Sequence, residues 1–228
     1  MRFIWDKITG GWQTVLSFLY PAFCAECGRL VVVADVFCIS CYRGIPSVPL
    51  LNVALSAQRA LVIHAISAYV GSVAHLVRQK ERRDIFSAHQ LGRLAVRYCQ
   101  EKDLCYDVVL AVPAHWTRFL ARGYNQSAVI AKHLEAAGYA RWLAPFMRKR
   151  ATAYQKSLAA RERQKNLRHA FGVSLFWSST AIVRMLEGKR VLIVDDVYTT
   201  GATLQEFARL VARYKPQNIE VLVSCRVL

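Results

Sequence analysis

Residues 191–203 read VLIVDDVYTTGAT, and the fold turns on this stretch. The four residues Val191, Leu192, Ile193 and Val194 are uninterrupted and β-favouring, the pattern of a parallel strand covered on both faces. Asp195 and Asp196 fall where that strand is expected to end. A small, hydroxyl-rich turn follows, with Thr199, Thr200, Gly201, Ala202 and Thr203, and residues 204–214 (LQEFARLVARY) carry the apolar spacing of a helix. A Thr/Gly turn between a strand's carboxyl end and a helix's amino end cradles phosphate. Backbone N–H groups converge there, the helix dipole favours the anion, and glycine admits close approach. Two adjacent acids do not bind phosphate, but they accept hydrogen bonds from vicinal sugar hydroxyls. A ribose 5-phosphate satisfies both halves, with the acids on the 2′- and 3′-hydroxyls and the turn on the 5′-phosphate. A P-loop is excluded, since no G-x-x-x-x-G-K-[ST] occurs.

The rest of the chain sets the context. Its 228 residues are 54% hydrophobic, enough for one α/β domain with a small appendage. Lys and Arg number 31 against 15 Asp and Glu, a net charge of +16 that points to polyanionic partners: nucleic acid, nucleotides or an anionic membrane surface. The longest apolar region, residues 48–77, is broken by Asn52, Gln58, Arg59, His64 and His75, so a buried core segment is expected rather than a transmembrane span. The amino terminus lacks the clean apolar run of a signal peptide. Trp12, Val15, Leu16, Phe18 and Leu19 suggest an amphipathic helix closed by Pro21, packed on the module after it. The expected location is cytoplasmic, with peripheral attachment to the inner membrane through that helix as the lesser reading.

Four of seven cysteines are grouped as Cys24 with Cys27 and Cys38 with Cys41. Two C-x-x-C pairs place four thiolates on two tight knuckles that can converge on one structural Zn²⁺, and Gly28 suits a knuckle that needs positive φ. Disulfides are the alternative, disfavoured in a reduced compartment. Cys99, Cys105 and Cys225 are expected in the core.

The middle of the chain is basic and aromatic. Arg118, Arg122 and Lys132 flank Trp116, Phe119 and Tyr124, and between Arg141 and His169 nine Lys/Arg face one acid, Glu162. Cations interleaved with rings are what single-stranded nucleic acid uses, and the candidates are Arg118, Arg122, Tyr124, Arg150, Tyr154, Lys156, Arg161 and Arg163. The same cations could instead grip the pyrophosphate of a small ligand. Strands near 65–70, 106–112, 191–195 and 219–225 alternate with helices near 85–100, 126–137 and 204–214, which implies βαβ units and a parallel sheet. Residues 139–189 carry no clear periodicity. A joint near Pro46 and Pro49 divides residues 1–46, the helix and cysteine module, from residues 47–228.

The stretch 191–203 closely resembles the signature for 5-phosphoribosyl-1-pyrophosphate (PRPP) of the type I phosphoribosyltransferases. Such a site needs a second loop for the leaving pyrophosphate, and Lys80 is the candidate. With all pieces in order, the chain resembles the ComF family. The matching residues are the four grouped cysteines, Lys80, Ala111 to Pro113, Arg122 to Ser127, Arg150 to Thr152 with Gln155, Arg161 and Arg163 with Asn166, Phe171, and 191–203. After Lys80 the chain reads Glu-Arg-Arg-Asp, where the family carries an aromatic and a glycine. The resemblance implies a type I phosphoribosyltransferase fold, a parallel sheet with helices on both faces, plus a zinc module. It also implies PRPP bound with Mg²⁺ through Asp195, Asp196, residues 199–203 and Lys80, and a role in natural transformation with single-stranded DNA and a DNA-uptake helicase as partners. The rival expectation is a working phosphoribosyltransferase that displaces pyrophosphate with a nitrogenous acceptor, Asp195 and Asp196 then being catalytic.

Overall fold

The computed structural model describes residues 22–32, 35–56, 59–149 and 170–228. The expected amino-terminal helix lies outside them, as do Arg150, Tyr154, Lys156, Arg161 and Arg163. The chain divides into two compact units, Met1–Ile45 and Pro46–Leu228.

In the first unit two short antiparallel strands, β1 (Ala22–Phe23) and β2 (Leu30–Val31), precede a one-turn helix, α1 (Ile39–Arg43). Its described apolar burial is slight: Cys24, Val36 and Phe37.

The second unit is a mixed six-stranded sheet with helices on both faces. Its strands are β3 (Leu51–Ser56), β4 (Arg59–Ala68), β5 (Val108–Ala111), β6 (Arg141–Leu143), β9 (Arg190–Tyr198) and β10 (Asn218–Arg226), in the order β3-β4-β10-β9-β5-β6. Only β3 runs antiparallel, on β4. A separate pair, β7 (Phe146–Arg148) and β8 (Phe171–Val173), is antiparallel. Successive residues of β9 point to opposite faces. Val191 and Ile193 join Leu61, Ile63, Val221, Val223 and Phe207 in one core, while Leu192 and Val194 are equally buried on the other side. Helices α6 (Ser179–Leu186) and α7 (Ala202–Ala212) cover the first face through Ile182, Leu186, Phe207 and Val211. On the other, α5 (Gln126–Ala136) packs on β5 and β9 and lies along α3 (Ile85–Glu101), which touches α2 (Gly71–Arg78).

The strand expected at 65–70 starts at Arg59 because it pairs with β3, so the apolar region 48–77 becomes two strands and a helix. Strand β9 runs on through the acids to Tyr198, and α7 begins at Ala202, two residues before the expected start. Cys99 and Cys225 are buried, but Cys105 is exposed, because it sits in the loop between α3 and β5. Among the described residues no helix is long and apolar enough to cross a membrane.

Candidate functional site

The parallel sheet brings the carboxyl ends of β9 and β10 to one edge, and the amino ends of α5 and α7 face it. Asp195 is held from two sides. Ser127 Oγ on α5 donates to its Oδ1 at 3.0 Å, and the backbone N–H of Asp196 donates to the same oxygen at 2.9 Å. Ser127 is placed by the cap of α5, where Asn125 Oδ1 accepts the Ser127 N–H and Asn125 Nδ2 donates to the Val112 carbonyl. Lys80 lies in a 3₁₀ turn (Gln79–Arg82) after α2, and its Nζ donates to Asp196 Oδ2. Burial and the charge of Asp196 push the Asp195 carboxyl up to about 7, against the pull of the Asp196 N–H, Lys80 and Ser127.

The turn has the form expected of an anion cradle. Gly201 caps α7 with φ 72°, and no side chain caps the helix or places an acid in its first turn. The first N–H groups of α7 are therefore unclaimed by any side-chain cap. The close approach that fixes glycine here is internal: a Cβ on Gly201 would lie 2.5 Å from the Tyr198 hydroxyl. A cavity of about 90 Å³ is lined by Leu110, Asn125, Trp142 and Phe207, and neither aspartate lines it.

Two residues beyond the expected set belong to the surroundings of the acids. Ser127 is one; its motif was visible in the sequence, its role was not. The other is Arg148 on β7, buried, with its guanidinium over the Phe171 ring at 5.4 Å. Burial and the charge of Arg118 bring it down to about 10, while Asp195 opposes the fall. The run of cations held no signal to single out Arg148, since its burial depends on the pairing of β7 with β8.

Of the residues expected on a nucleic-acid surface, Arg118 and Arg122 lie half-buried on α4 (Trp116–Arg122). Tyr124 does not suit the stacking expected of it. It is 8% exposed, and its hydroxyl donates to the Asp84 carbonyl at 2.8 Å, so its ring is packed rather than open to a base.

The four cysteine sulfurs lie within 4.8 Å of one another. Cys27 and Cys38 sulfurs are 3.7 Å apart, far beyond a disulfide's ~2.05 Å. A tetrahedron with metal–sulfur bonds of ~2.3 Å has edges of about 3.8 Å, so the cluster fits one Zn²⁺. Burial raises the Cys24 thiol, but backbone N–H groups of Cys27, Cys38 and Glu26 outweigh it and bring it to about 6. The sulfurs of Cys38 and Cys27 push Cys41 up to about 12, so four thiolates need a cation between them. Gly28, at φ 70°, closes the first knuckle.

The family described as "Phosphoribosyl transferase domain" matches residues 139–228. The DNA utilization protein YhgH of Salmonella typhi is 30% identical over 232 residues, covering 93% of this chain and 94% of that one. The chain belongs to the ComF family. Competence protein F of Haemophilus influenzae (strain ATCC 51907 / DSM 11121 / KW20 / Rd) is 27% identical, covering 93% of this chain and 87% of that one. Among solved structures, the glutamine PRPP amidotransferase of B. subtilis, complexed with ADP and GMP, matches with a TM-score of 0.40 and 18% identity over 60% of this chain and 26% of that chain. This chain is phosphoribosyltransferase-like, with a cysteine cluster able to hold a metal ion.

Proposed function

We propose that this protein binds PRPP with Mg²⁺ at the β9–α7 turn and single-stranded DNA on its basic surface, and serves DNA uptake in natural transformation from the cytoplasm. The observation that carries the PRPP reading is the junction of an acid pair with a helix start that has no side-chain cap. In it the two aspartates take the ribose hydroxyls, residues 199–203 take the 5′-phosphate, and Lys80 leaves Asp196 for the pyrophosphate. Mg²⁺ would supply charge neutralisation for the pyrophosphate, and the paired carboxylates are oxygen donors of the kind it prefers. A structural Zn²⁺ holds the cysteine unit. The DNA reading is supported by the net charge of +16 and by the relatives named for DNA utilization and competence. A DNA-uptake helicase is the protein partner that suits such a role.

Calorimetry with PRPP and Mg²⁺, with and without a short oligonucleotide, tests both halves and their coupling. Absence of PRPP binding in the wild type overturns the site assignment. One observation favours the enzymatic reading as well: Asp195, raised to about 7, could take a proton from a nitrogenous acceptor near neutral pH. Pyrophosphate release from PRPP on addition of an acceptor would establish it.

A further inference from the structure

Helix α4 is built inside out. Its apolar residues Trp116, Phe119 and Leu120 fall at i, i+3 and i+4, the spacing that normally turns a face to the core. Here they are 63%, 50% and 68% exposed, and none of its residues is buried. Arg118 and Arg122, one turn apart, are the half-buried ones. Ile85 and Phe86, at the start of α3 just after the 3₁₀ turn that α4 touches, are exposed apolar residues as well.

The helix is also held firmly. Its cap is the buried His115, whose Nδ1 accepts the Thr117 N–H at 3.3 Å and lies 2.8 Å from Thr117 Oγ1. The His115 ring sits 5.6 Å from that of Trp116. At the other end Gly123 adopts φ 84° and closes the helix, and Tyr124 pins the chain to Asp84. An exposed pair of rings on a helix capped at both ends has only two side-chain torsions each to lose on binding.

We propose that Trp116 and Phe119 are the base-stacking platform of this protein, with Arg118 and Arg122 on the adjoining phosphates. The inference rests on the DNA-binding reading above and gives it a place. The occupant is single-stranded DNA because the patch joins aromatic faces to guanidinium groups in a chain of net charge +16. Stacking needs unpaired bases, and the cations need a polyanion. Helix α4 touches the 3₁₀ turn whose Lys80 pairs with Asp196, so the platform stands beside the element that reaches the acid pair.

The experiment titrates a labelled oligothymidylate into full-length wild type, Trp116→Ala/Phe119→Ala and Arg122→Ala over a range of salt. The double variant should lose affinity about fivefold to a hundredfold per stacked ring, with the salt slope unchanged. Arg122→Ala should flatten the slope, by no more than one phosphate's share. Wild-type tryptophan fluorescence should quench with single strands and not with duplex, and the double variant should lose that signal. Both altered rings are exposed, so urea midpoints should match. Unchanged oligothymidylate affinity in the double variant overturns the proposal. So does loss of self-association in sedimentation, or loss of binding to phosphatidylglycerol vesicles, with DNA binding intact; the patch would then belong to a second copy or a lipid surface. If wild type binds no oligothymidylate at low salt, the DNA half of the function falls and this inference with it. PRPP calorimetry on the double variant, expected to match wild type, keeps that failure distinct from a failed PRPP site.

Discussion

The cysteine unit and the sheet unit are stabilised by different physics. Between residues 22 and 45 the described apolar burial amounts to Cys24, Val36 and Phe37, around four sulfurs within 4.8 Å. The sheet unit buries Leu61, Ile63, Ile193, Val221 and Phe207 in one contiguous core on one face and a second apolar layer on the other. With Zn²⁺ on the sulfurs as proposed, one depends on an ion and the other on area removed from water, so each should fail to a different insult.

The largest expected effect breaks the comparison directly. Stripping metal from reduced protein, or Cys38→Ser, should unfold the first unit, a loss on the order of 10 kcal/mol by analogy with small zinc modules. Hydrogen exchange should show amides of residues 22–45 losing protection while β9 and β10 keep theirs; joint loss would mean the units are not independent. In the sheet unit, Phe207→Ala removes a fully buried ring that meets Phe146 at 5.7 Å and Phe171 at 5.1 Å. It should cost about 3–5 kcal/mol in urea unfolding, with metal content unchanged.

The candidate site should yield smaller numbers. Asp196→Asn should weaken PRPP by about 1.5–3 kcal/mol, the value of a charge-assisted hydrogen bond, read by calorimetry. Gly201→Val should be worse, since φ 72° and the Tyr198 ring both oppose a side chain.

Two acids in the sheet should show opposite pH signs. Glu220, on β10, accepts from His64 and Tyr106, each at 2.8 Å. The His64 bond first, then Tyr106, outweighs burial and holds its pKa below the usual value. Its contribution is present above the unfolded value of about 4.3 and is lost as pH falls through the lower folded value. Asp195 is raised to about 7, so its contribution is present at acid pH and is lost as pH rises through 7. Asp195→Asn should therefore raise stability at pH 8, on the order of 1 kcal/mol, and Glu220→Gln should lower it by about 1 kcal/mol. Urea midpoints between pH 3 and 8 check both. The smallest effect is at Arg83, which holds φ 61° where it caps the 3₁₀ turn that carries Lys80. Arg83→Gly should be neutral or stabilising by up to about 1 kcal/mol.

What could be read from the sequence was what local chemistry dictates. Two C-x-x-C pairs need only their own spacing, and the run 191–194 with Asp195, Asp196 and Gly201 carries its strand, acids and turn in thirteen consecutive residues. The central strands were legible because burial on both faces leaves unbroken apolar runs. Strands β6, β7 and β8 were not, being three residues each and set by pairing rather than pattern. Tyr124 misled because a tyrosine beside arginines looks the same whether its ring is open or packed. Trp116 and Phe119 were visible as aromatics, but their outward direction follows from how His115 and Gly123 anchor α4.

The position of β10 has a consequence for how the protein is made. It is the last described strand to leave the ribosome, yet it lies between β4 and β9. At 5–20 residues per second, β4 emerges on the order of ten seconds before the strand it must pair with. Throughout that interval the edge of β4 that β10 will cover stays open, and the matching edge of β9 joins it towards the end; such edges are templates for pairing with other chains. Nascent copies on one polysome are therefore neighbours that can pair with it, and a trigger-factor-like holdase should raise its soluble yield.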